Sequence, residues 1–143
     1  MALKEIIYES PEYDQMIQLR LDVLRKPLGL SFSLDELKKE KTDILLGAFE
    51  EDKLLACCVL TSQDSKAIQL RQMAVQNNLQ GKGVGATLLR FAENVACDRG
   101  YCYMTMHARE SAVQFYQKHG YQIEGDPFQE VTIPHYKMVK KIK

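Results

Sequence analysis

Apolar side chains recur along the chain with two different periods, which predict both strands and amphipathic helices. Leu3–Tyr8 is a short apolar-rich run and predicts the first strand. Ser10 followed by Pro11 is typical of a helix start, because the hydroxyl can cap the helix and the first turn needs no N–H from proline. Pro27 and Gly29 are expected to end that helix. Its apolar positions with helical spacing are Tyr13, Ile17, Leu21 and Leu24.

The middle of the chain predicts a second, short helix followed by three strands. Ser33–Glu36 matches a capping box. Ile44–Phe49 and Leu54–Thr61 flank a charged turn, which favours an antiparallel hairpin. The third strand, Ala67–Val75, has apolar residues that change parity partway along it: Ile68 and Leu70, then Met73 and Val75. One extra residue near positions 71–72 would place all of them on one face, so we predict a β-bulge there, with burial of both faces as the alternative.

The C-terminal half alternates helices with strands. A long helix is predicted to follow the glycine-rich segment at positions 80–85 and to end at Arg99-Gly100, and a shorter helix is predicted over Ser111–Lys118. The strands predicted there are Tyr101–His107, Tyr121–Glu124 and Ile133–Lys140, with a loop joining the last two. Early hairpins followed by βαβα units predict an α/β fold with a mixed central sheet and helices on both faces.

Composition is typical of one ordinary globular domain, which we expect to span residues 1–143. The chain is 45% hydrophobic and 27% charged. A chain of this length buries roughly 70% of its unfolded surface, so it needs no disulfides to fold. Its 19 Lys and Arg residues balance 19 Asp and Glu residues. That balance excludes a whole-surface attraction to nucleic acid or acidic membranes, but not a local basic patch.

The cysteines indicate a reducing compartment. Cys57, Cys58, Cys97 and Cys102 form no Cys-x-x-Cys pair, so neither a disulfide framework nor a zinc site is expected. The first residues lack the apolar centre of a signal peptide, and no uncharged apolar run approaches the ~20 residues of a membrane helix. These features predict a cytoplasmic protein with free thiols, no metal and no membrane association.

The segment Gln80–Gly85, Gln-Gly-Lys-Gly-Val-Gly, is the strongest chemical signal. Its three alternate glycines leave backbone N–H groups uncovered, and the segment opens directly into a helix. Free amides, the positive end of the helix dipole and the mobile charge of Lys82 together predict a phosphate-binding site. A tight turn that only requires positive φ angles is the alternative.

Two other phosphate-binding motifs fit this segment less well. A P-loop requires Ser or Thr after Gly-Lys, whereas Gly83 follows Lys82 here. Gly81-x-Gly83-x-x-Ala86 matches the relaxed dinucleotide fingerprint. However, that motif should begin at the end of its strand and should have an acidic residue at the end of the next strand, where Thr105–His107 supplies none. A nicotinamide or flavin enzyme is therefore disfavoured.

Two segments resemble the signatures of the GNAT superfamily of N-acetyltransferases. Leu70–Val75 followed by Gln80–Gly85 is similar to the acetyl-CoA signature, Gln/Arg-x-x-Gly-x-Gly/Ala after a bulged strand. His107–Tyr121 resembles the second motif, a strand followed by a helix that ends in Phe-Tyr-x-x-x-Gly-Phe/Tyr. The resemblance implies a mostly antiparallel sheet with a splayed fourth strand.

The resemblance also implies how acetyl-CoA is held. The backbone of Met73–Val75 would pair with the pantetheine arm, the amides of Gly81–Gly85 would hold the pyrophosphate, and a backbone N–H near the bulge would polarise the thioester carbonyl. The residues assigned to cofactor binding are Met73, Ala74, Val75, Gln80, Gly81, Lys82, Gly83, Val84, Gly85 and Ala86.

Acetyl transfer to an amine also needs proton transfer. A free alkylamine has a pKa of about 10.4 and must lose a proton, and the departing thiolate must be protonated or hydrogen-bonded. The resemblance makes Tyr116 the acid beside the cofactor sulfur. The glutamate that many members carry on the bulged strand is replaced here by Gln69 and Gln72. His135 and His107 are therefore the main candidates for the general base, and Glu130 is a weaker one. A water relay with no single base is the alternative.

The resemblance predicts direct acetyl transfer to a primary amine, with a small molecule as the expected acceptor. A non-catalytic acyl-CoA-binding sensor on the same scaffold is the alternative, and the missing strand-four carboxylate favours it. Family members are often dimers, so a homodimer is compatible with the chain. The acceptor depends on segments 25–41 and 125–134, which the motifs do not cover, and Arg109 receives no firm role.

Overall fold

The computed structural model describes residues 1–143, and most strands and helices lie close to their predicted positions. The strands are β1 (Ala2–Glu5), β2 (Ile44–Glu50), β3 (Lys53–Ser62), β4 (Ala67–Val75), β5 (Tyr103–Arg109), β6 (Gln122–Ile123), β7 (Phe128–Glu130) and β8 (Ile133–Lys141). The α-helices are α1 (Pro11–Arg20), α2 (Leu34–Lys38), α3 (Val84–Asp98) and α4 (Val113–Lys118). A π-helical turn, Leu21–Arg25, and a 3-10 turn, Lys26–Leu28, follow α1.

The strands form one eight-stranded sheet in the order β1-β2-β3-β4-β5-β8-β6, and β7 pairs with β8. β4 and β5 are parallel. The pairs β1–β2, β2–β3, β5–β8, β6–β8 and β7–β8 are antiparallel. The predicted α/β fold with a mixed, mostly antiparallel sheet is therefore confirmed.

One strand differs from the prediction. The segment predicted as a loop between the two closing strands contains β7, which pairs with β8 from Phe128–His135 to Glu130–Ile133. The connecting residues Val131 and Thr132 have φ angles of +46° and +66°. Turns of this kind favour Asn-Gly, and β-branched residues rarely adopt such angles. A three-residue strand next to this unusual turn carries almost no sequence signal.

Residue contacts divide the chain into two compact units. The first unit is Met1–Thr61 with Gln72–Ala92, and the second is Ser62–Arg71 with Glu93–Lys143. In β4 the division falls just before Gln72, whose φ is +55°. A left-handed residue in a strand changes the direction of the main chain. Gln72 lies at the position where the parity change predicts the extra residue of a bulge.

The first unit is built on the apolar faces of α1, β2 and β3. The Ser10 hydroxyl accepts a hydrogen bond from Tyr13 N at 3.2 Å, and Pro11 occupies the first turn, as predicted for this helix start. A Cβ on Gly47 would lie 2.8 Å from the side chain of Ile6 and 2.9 Å from that of Leu54, so a larger residue would require these side chains to move. The buried residues of this core are Ile6, Tyr13, Met16, Leu19, Leu45, Phe49, Leu54, Cys57, Val59 and Ala74.

A buried ion pair lies at the edge of this core. Arg20 donates to Glu40 through two nitrogens, with distances of 2.9 and 2.5 Å. The Tyr13 hydroxyl also donates to Glu40, at 2.7 Å, and burial together with this bond raises the pKa of Tyr13. The two charged side chains are 0% and 5% exposed. They connect α1 to the segment that precedes β2.

The second unit has a polar clamp of its own. Glu93, in α3, accepts hydrogen bonds from Tyr121 Oη at 2.7 Å and from Lys140 Nζ at 3.0 Å. The turn before β4 is closed by Asp64, which accepts from the main-chain N–H groups of Lys66 and Ala67, both at 2.8 Å. These two bonds lower the pKa of the Asp64 carboxyl.

None of the helices is both long and apolar enough to cross a membrane.

Candidate active site

Residues 80–83 form an open loop that leads into α3, which begins at Val84 in the first unit. Gly81 and Gly83 have φ angles of +80° and +86°. Such angles favour glycine, because a Cβ in this region clashes with the main chain. Beyond that local strain, a Cβ on either residue would meet no atom within 4 Å. The main chain is therefore open to the close approach of a ligand at both positions.

Hydrogen bonds on both sides of the loop hold its shape. Gln80 Nε2 donates to the carbonyl of Val75 at 3.3 Å and to Oδ1 of Asn77 at 3.2 Å, which ties the loop to the end of β4. On the helix side, the N–H and the hydroxyl of Thr87 donate to the carbonyl of Gly83 at 3.1 and 2.9 Å. The loop is thus positioned before any ligand binds.

The first turn of α3 adds further N–H groups. Residues 84–86 precede the first bond of the helical i→i−4 pattern, which runs from Thr87 N to Gly83 O, so their own N–H groups have no partner within the helix. The helix is anchored by buried side chains, which are Leu88, Leu89 and Ala92 in this unit. Its positive end, the open glycines and the exposed Lys82 suit a polyanionic group such as a pyrophosphate.

Met73–Val75 lie immediately before this loop. Ala74 is buried in the core of the first unit, whereas Met73 and Val75 are half-buried. This alternation is that of an ordinary strand, so the main chain after Gln72 resumes extended pairing. The N–H of Gln76 donates to the carbonyl of Leu55 at 2.9 Å and fixes the end of the strand.

Tyr116 lies in the second unit, on α4. Its side chain is largely buried, and its ring makes edge contacts with Phe115 and Tyr121, with centroid distances of 5.1 and 5.8 Å. The carbonyl of Tyr116 accepts from the N–H groups of His119 and Tyr121, which close the helix at 3.0 and 3.1 Å. Packing therefore restricts the ring, and the hydroxyl is its one polar group.

The second unit brings both predicted histidines to one glutamate. Nδ1 of His107 is 3.1 Å from Oε1 of Glu130, and Nε2 of His135 is 3.7 Å from Oε2 of the same carboxylate. The registers β5–β8 and β7–β8 produce this meeting, because side chains of like parity on paired strands share a face. Phe128 packs between the rings, edge-on to His107 at 5.0 Å and stacked on His135 at 6.0 Å.

The two histidines differ in exposure. The side chain of His135 is 4% exposed and that of His107 is 37% exposed. Nδ1 of His135 is 2.9 Å from the carbonyl of Ile133. A carbonyl only accepts, so this nitrogen carries the hydrogen. Among these side chains, only His107 and Glu130 offer substantial surface to a small molecule.

From the sequence, Glu130 ranks below the two histidines as a candidate base, and Phe128 is not identified as their neighbour. Both residues belong to β7, the strand that was predicted as a loop. The segment has a single apolar residue, Phe128, before two polar ones, and three residues cannot establish a period. No group of three or more His, Cys, Asp or Glu side chains is arranged to hold a metal ion.

Comparison with known proteins decides the family. Residues 31–142 match the acetyltransferase (GNAT) domain. The chain belongs to the GNAT acetyltransferases. This GNAT acetyltransferase is 29% identical over 108 residues to the uncharacterized N-acetyltransferase YjcF of Bacillus subtilis (strain 168), an alignment that covers 75% of each protein.

Solved structures share the fold of this GNAT acetyltransferase over nearly its full length. A putative N-acetyltransferase from Lactobacillus plantarum has a TM-score of 0.85 at 24% identity and covers 100% of both chains. An aminoglycoside 6'-N-acetyltransferase complexed with coenzyme A has a TM-score of 0.85 at 18% identity, covering 100% of this chain and 98% of the other. A GNAT acetyltransferase from Elizabethkingia anophelis with acetyl-CoA bound has a TM-score of 0.75 at 19% identity, covering 98% and 97%.

The family resemblance and the prediction of an acyltransferase enzyme are therefore confirmed. Two of the structural neighbours hold CoA or acetyl-CoA, which is the ligand class that the glycine loop was predicted to take.

Proposed function

We propose that this GNAT acetyltransferase moves the acetyl group of acetyl-CoA to a primary amine of a small molecule, by direct transfer in a ternary complex. The observation that carries the proposal is the loop of residues 80–83 together with the first turn of α3. Its two left-handed glycines leave open space where a Cβ would stand, immediately before a helix N-terminus. That geometry fits a pyrophosphate, and the loop lies at the position of the family's acetyl-CoA signature.

Cofactor binding is assigned to the first unit. The N–H groups at positions 81–86 would hold the pyrophosphate, with Lys82 adding a positive charge at the same end of the helix. Gln80 supports the loop through its bonds to Val75 and Asn77. The main chain of Met73–Val75 would pair with the pantetheine arm as an added strand.

Acetyl-CoA supplies an activated thioester carbonyl, and the protein's task is to place donors and move protons around it. A main-chain N–H near the left-handed Gln72 is assigned to the developing oxyanion. The Tyr116 hydroxyl is assigned to protonation of the departing thiolate, because packing holds its ring in one place. The candidate bases are His107, His135 and a water relay.

The acceptor is proposed to be a small molecule rather than a polymer. The charge balance of 19 against 19 gives the chain no general attraction for nucleic acid or a highly charged protein tail. One structural neighbour is an aminoglycoside acetyltransferase complexed with coenzyme A, which makes polyamines and amino sugars sensible first members of a test panel.

The test is an acetylation screen with a panel of small primary amines, read as release of free CoA thiol. Calorimetric titration with CoA is done in parallel. CoA binding together with amine-dependent thiol release supports the proposal. Tight CoA binding without release for any amine would contradict transfer to a small amine, and absence of CoA binding would contradict the assignment of the loop.

A further inference from the structure

The arrangement around Glu130 distinguishes the two histidines chemically. Nδ1 of His107 is 3.1 Å from Oε1 of Glu130. An ionised carboxylate only accepts hydrogen bonds, so Nδ1 of His107 carries the hydrogen. In the neutral ring the lone pair then resides on Nε2. The imidazole is 37% exposed, so a small amine can approach it.

His135 has the same tautomer but a buried environment. Its Nδ1 donates to the carbonyl of Ile133 at 2.9 Å, so the basic nitrogen is again Nε2. However, Nε2 is 3.7 Å from Oε2 of Glu130, and the side chain is 4% exposed. An acceptor amine has no room at that nitrogen. A proton held there would instead face the carboxylate and fix its orientation.

The neighbouring strands add positive charge. Lys137 on β8 is the register partner of His107, and Arg109 on β5 is the register partner of His135. Lys137 pairs with Glu124 at 3.1 Å. Glu130 is the carboxylate in contact with both rings, at 3.1 Å from Nδ1 of His107 and 3.7 Å from Nε2 of His135.

We propose that Glu130 is the positioning residue that makes His107, rather than His135, the general base of the transfer. Glu130 holds His107 in the Nδ1–H form and lies beside the imidazolium that forms. This inference rests on the proposed function, since it concerns the proton that the acceptor amine must lose.

Proton transfers accompany each bond change in the proposed reaction. An N–H bond of the acceptor ammonium breaks, its proton goes to Nε2 of His107, and its electron pair stays on nitrogen. That nitrogen then bonds to the thioester carbon, the C–S bond breaks, and the thiolate takes the Tyr116 hydroxyl proton. A second proton then leaves the acylated acceptor nitrogen and reaches the Tyr116 oxygen, directly or through water, which restores the neutral hydroxyl. His107 releases its proton to solvent.

The activity test compares the pH dependence of kcat in wild type, His107→Gln, Glu130→Gln and His135→Gln, with the amine found by the screen. His107→Gln is expected to lower kcat about 100-fold or more and to remove the acidic limb of the profile. Glu130→Gln is expected to lower kcat with the KM for acetyl-CoA unchanged, because the His107 ring is no longer held in its Nδ1–H form. His119→Gln is the control, since His119 packs on Phe115, away from the glutamate.

A second measurement does not depend on activity. Long-range proton–nitrogen NMR spectra of the imidazole rings are expected to show neutral His107 protonated at Nδ1. Hydrogen on Nε2 of His107 instead would overturn the proposal. An active His107→Gln variant with an unchanged acidic limb would also overturn it. That second result would point to His135 or water as the base and would leave the proposed function intact. A protein that shows the Nδ1–H form and binds CoA but acetylates no amine would refute the proposed function and the base role with it.

Discussion

The substitution Gly83→Ala separates a ligand-binding role of the glycine loop from a purely conformational one. Gly83 has a φ of +86°, and a Cβ there meets no protein atom within 4 Å. The matched control is Gly100→Ala at the other end of α3, where φ is +93° and a Cβ again meets nothing within 4 Å. Both substitutions therefore impose a similar backbone strain and no overlap with the rest of the protein.

The expected magnitudes differ for stability and for binding. Holding alanine in the left-handed region costs about 1–2 kcal/mol. With ~2.1 cal/mol/K of unfolding entropy per residue, a chain of this length loses roughly 3–7 °C of Tm at either site. At position 83 the added methyl also stands where the phosphate would approach the main chain. Loss of one charge-assisted hydrogen bond, about 1.5–3 kcal/mol, weakens CoA binding roughly 10- to 150-fold.

Calorimetric titration with CoA and thermal unfolding of the same samples make the comparison. The expected result is a comparable fall in Tm for both variants, with weaker CoA binding for Gly83→Ala alone. If Gly83→Ala binds CoA within twofold of wild type, the methyl group does not meet the phosphates and the loop assignment is wrong. Equal loss of affinity in both variants would instead show that α3 as a whole, and not the loop, controls binding.

Three further predictions follow from single contacts. Tyr116→Phe should lower kcat more than it changes the Kd for CoA, since only the hydroxyl is lost from a ring held by packing. Stopped-flow thiol detection measures kcat and calorimetry measures the Kd, and full turnover would exclude the acid role. Glu40→Gln should lower Tm by about 10–17 °C, because breaking a buried pair with Arg20 costs about 3–5 kcal/mol. A change within about 3 °C would mean that water replaces the pair. Burial raises the pKa of the Cys57 thiol to about 12 and that of Cys58 as well. These thiols stay protonated in the folded protein above the pH where the unfolded chain ionises them, so stability should fall as pH rises past about 9. Mass spectrometry after alkylation at pH 8.5 should find both unmodified until the protein unfolds, and rapid native labelling of either would contradict their burial.

Much of the site was predictable because its chemistry is local. Three alternate glycines before an amphipathic helix specify an open loop and a helix N-terminus without any distant contact. The parity change within Ala67–Val75 placed a bulge at positions 71–72, and Gln72 has the left-handed φ of +55° there. The capping box at Ser33–Glu36 is present with both of its hydrogen bonds. Each of these features is encoded within a few neighbouring residues.

The unpredicted side-chain contacts depend on residues that are distant in sequence. Arg20 and Glu40 form their pair across 20 positions, and neither side chain signals burial by its type. The contact of Glu130 with His107 spans 23 positions and requires the register of β5, β8 and β7. Strand register is decided by how whole apolar faces are buried and by turn geometry, which no short window contains.

The sequence by itself determined the family, the mixed fold and the loop that we assign to the cofactor, because backbone amides and glycines act through local geometry. Tertiary structure decided the relation between the two candidate histidines. It buried His135, left His107 exposed and joined both through Glu130, since side chains on paired strands come together only when the strands are aligned. The base that we propose therefore depends on strand register rather than on any motif.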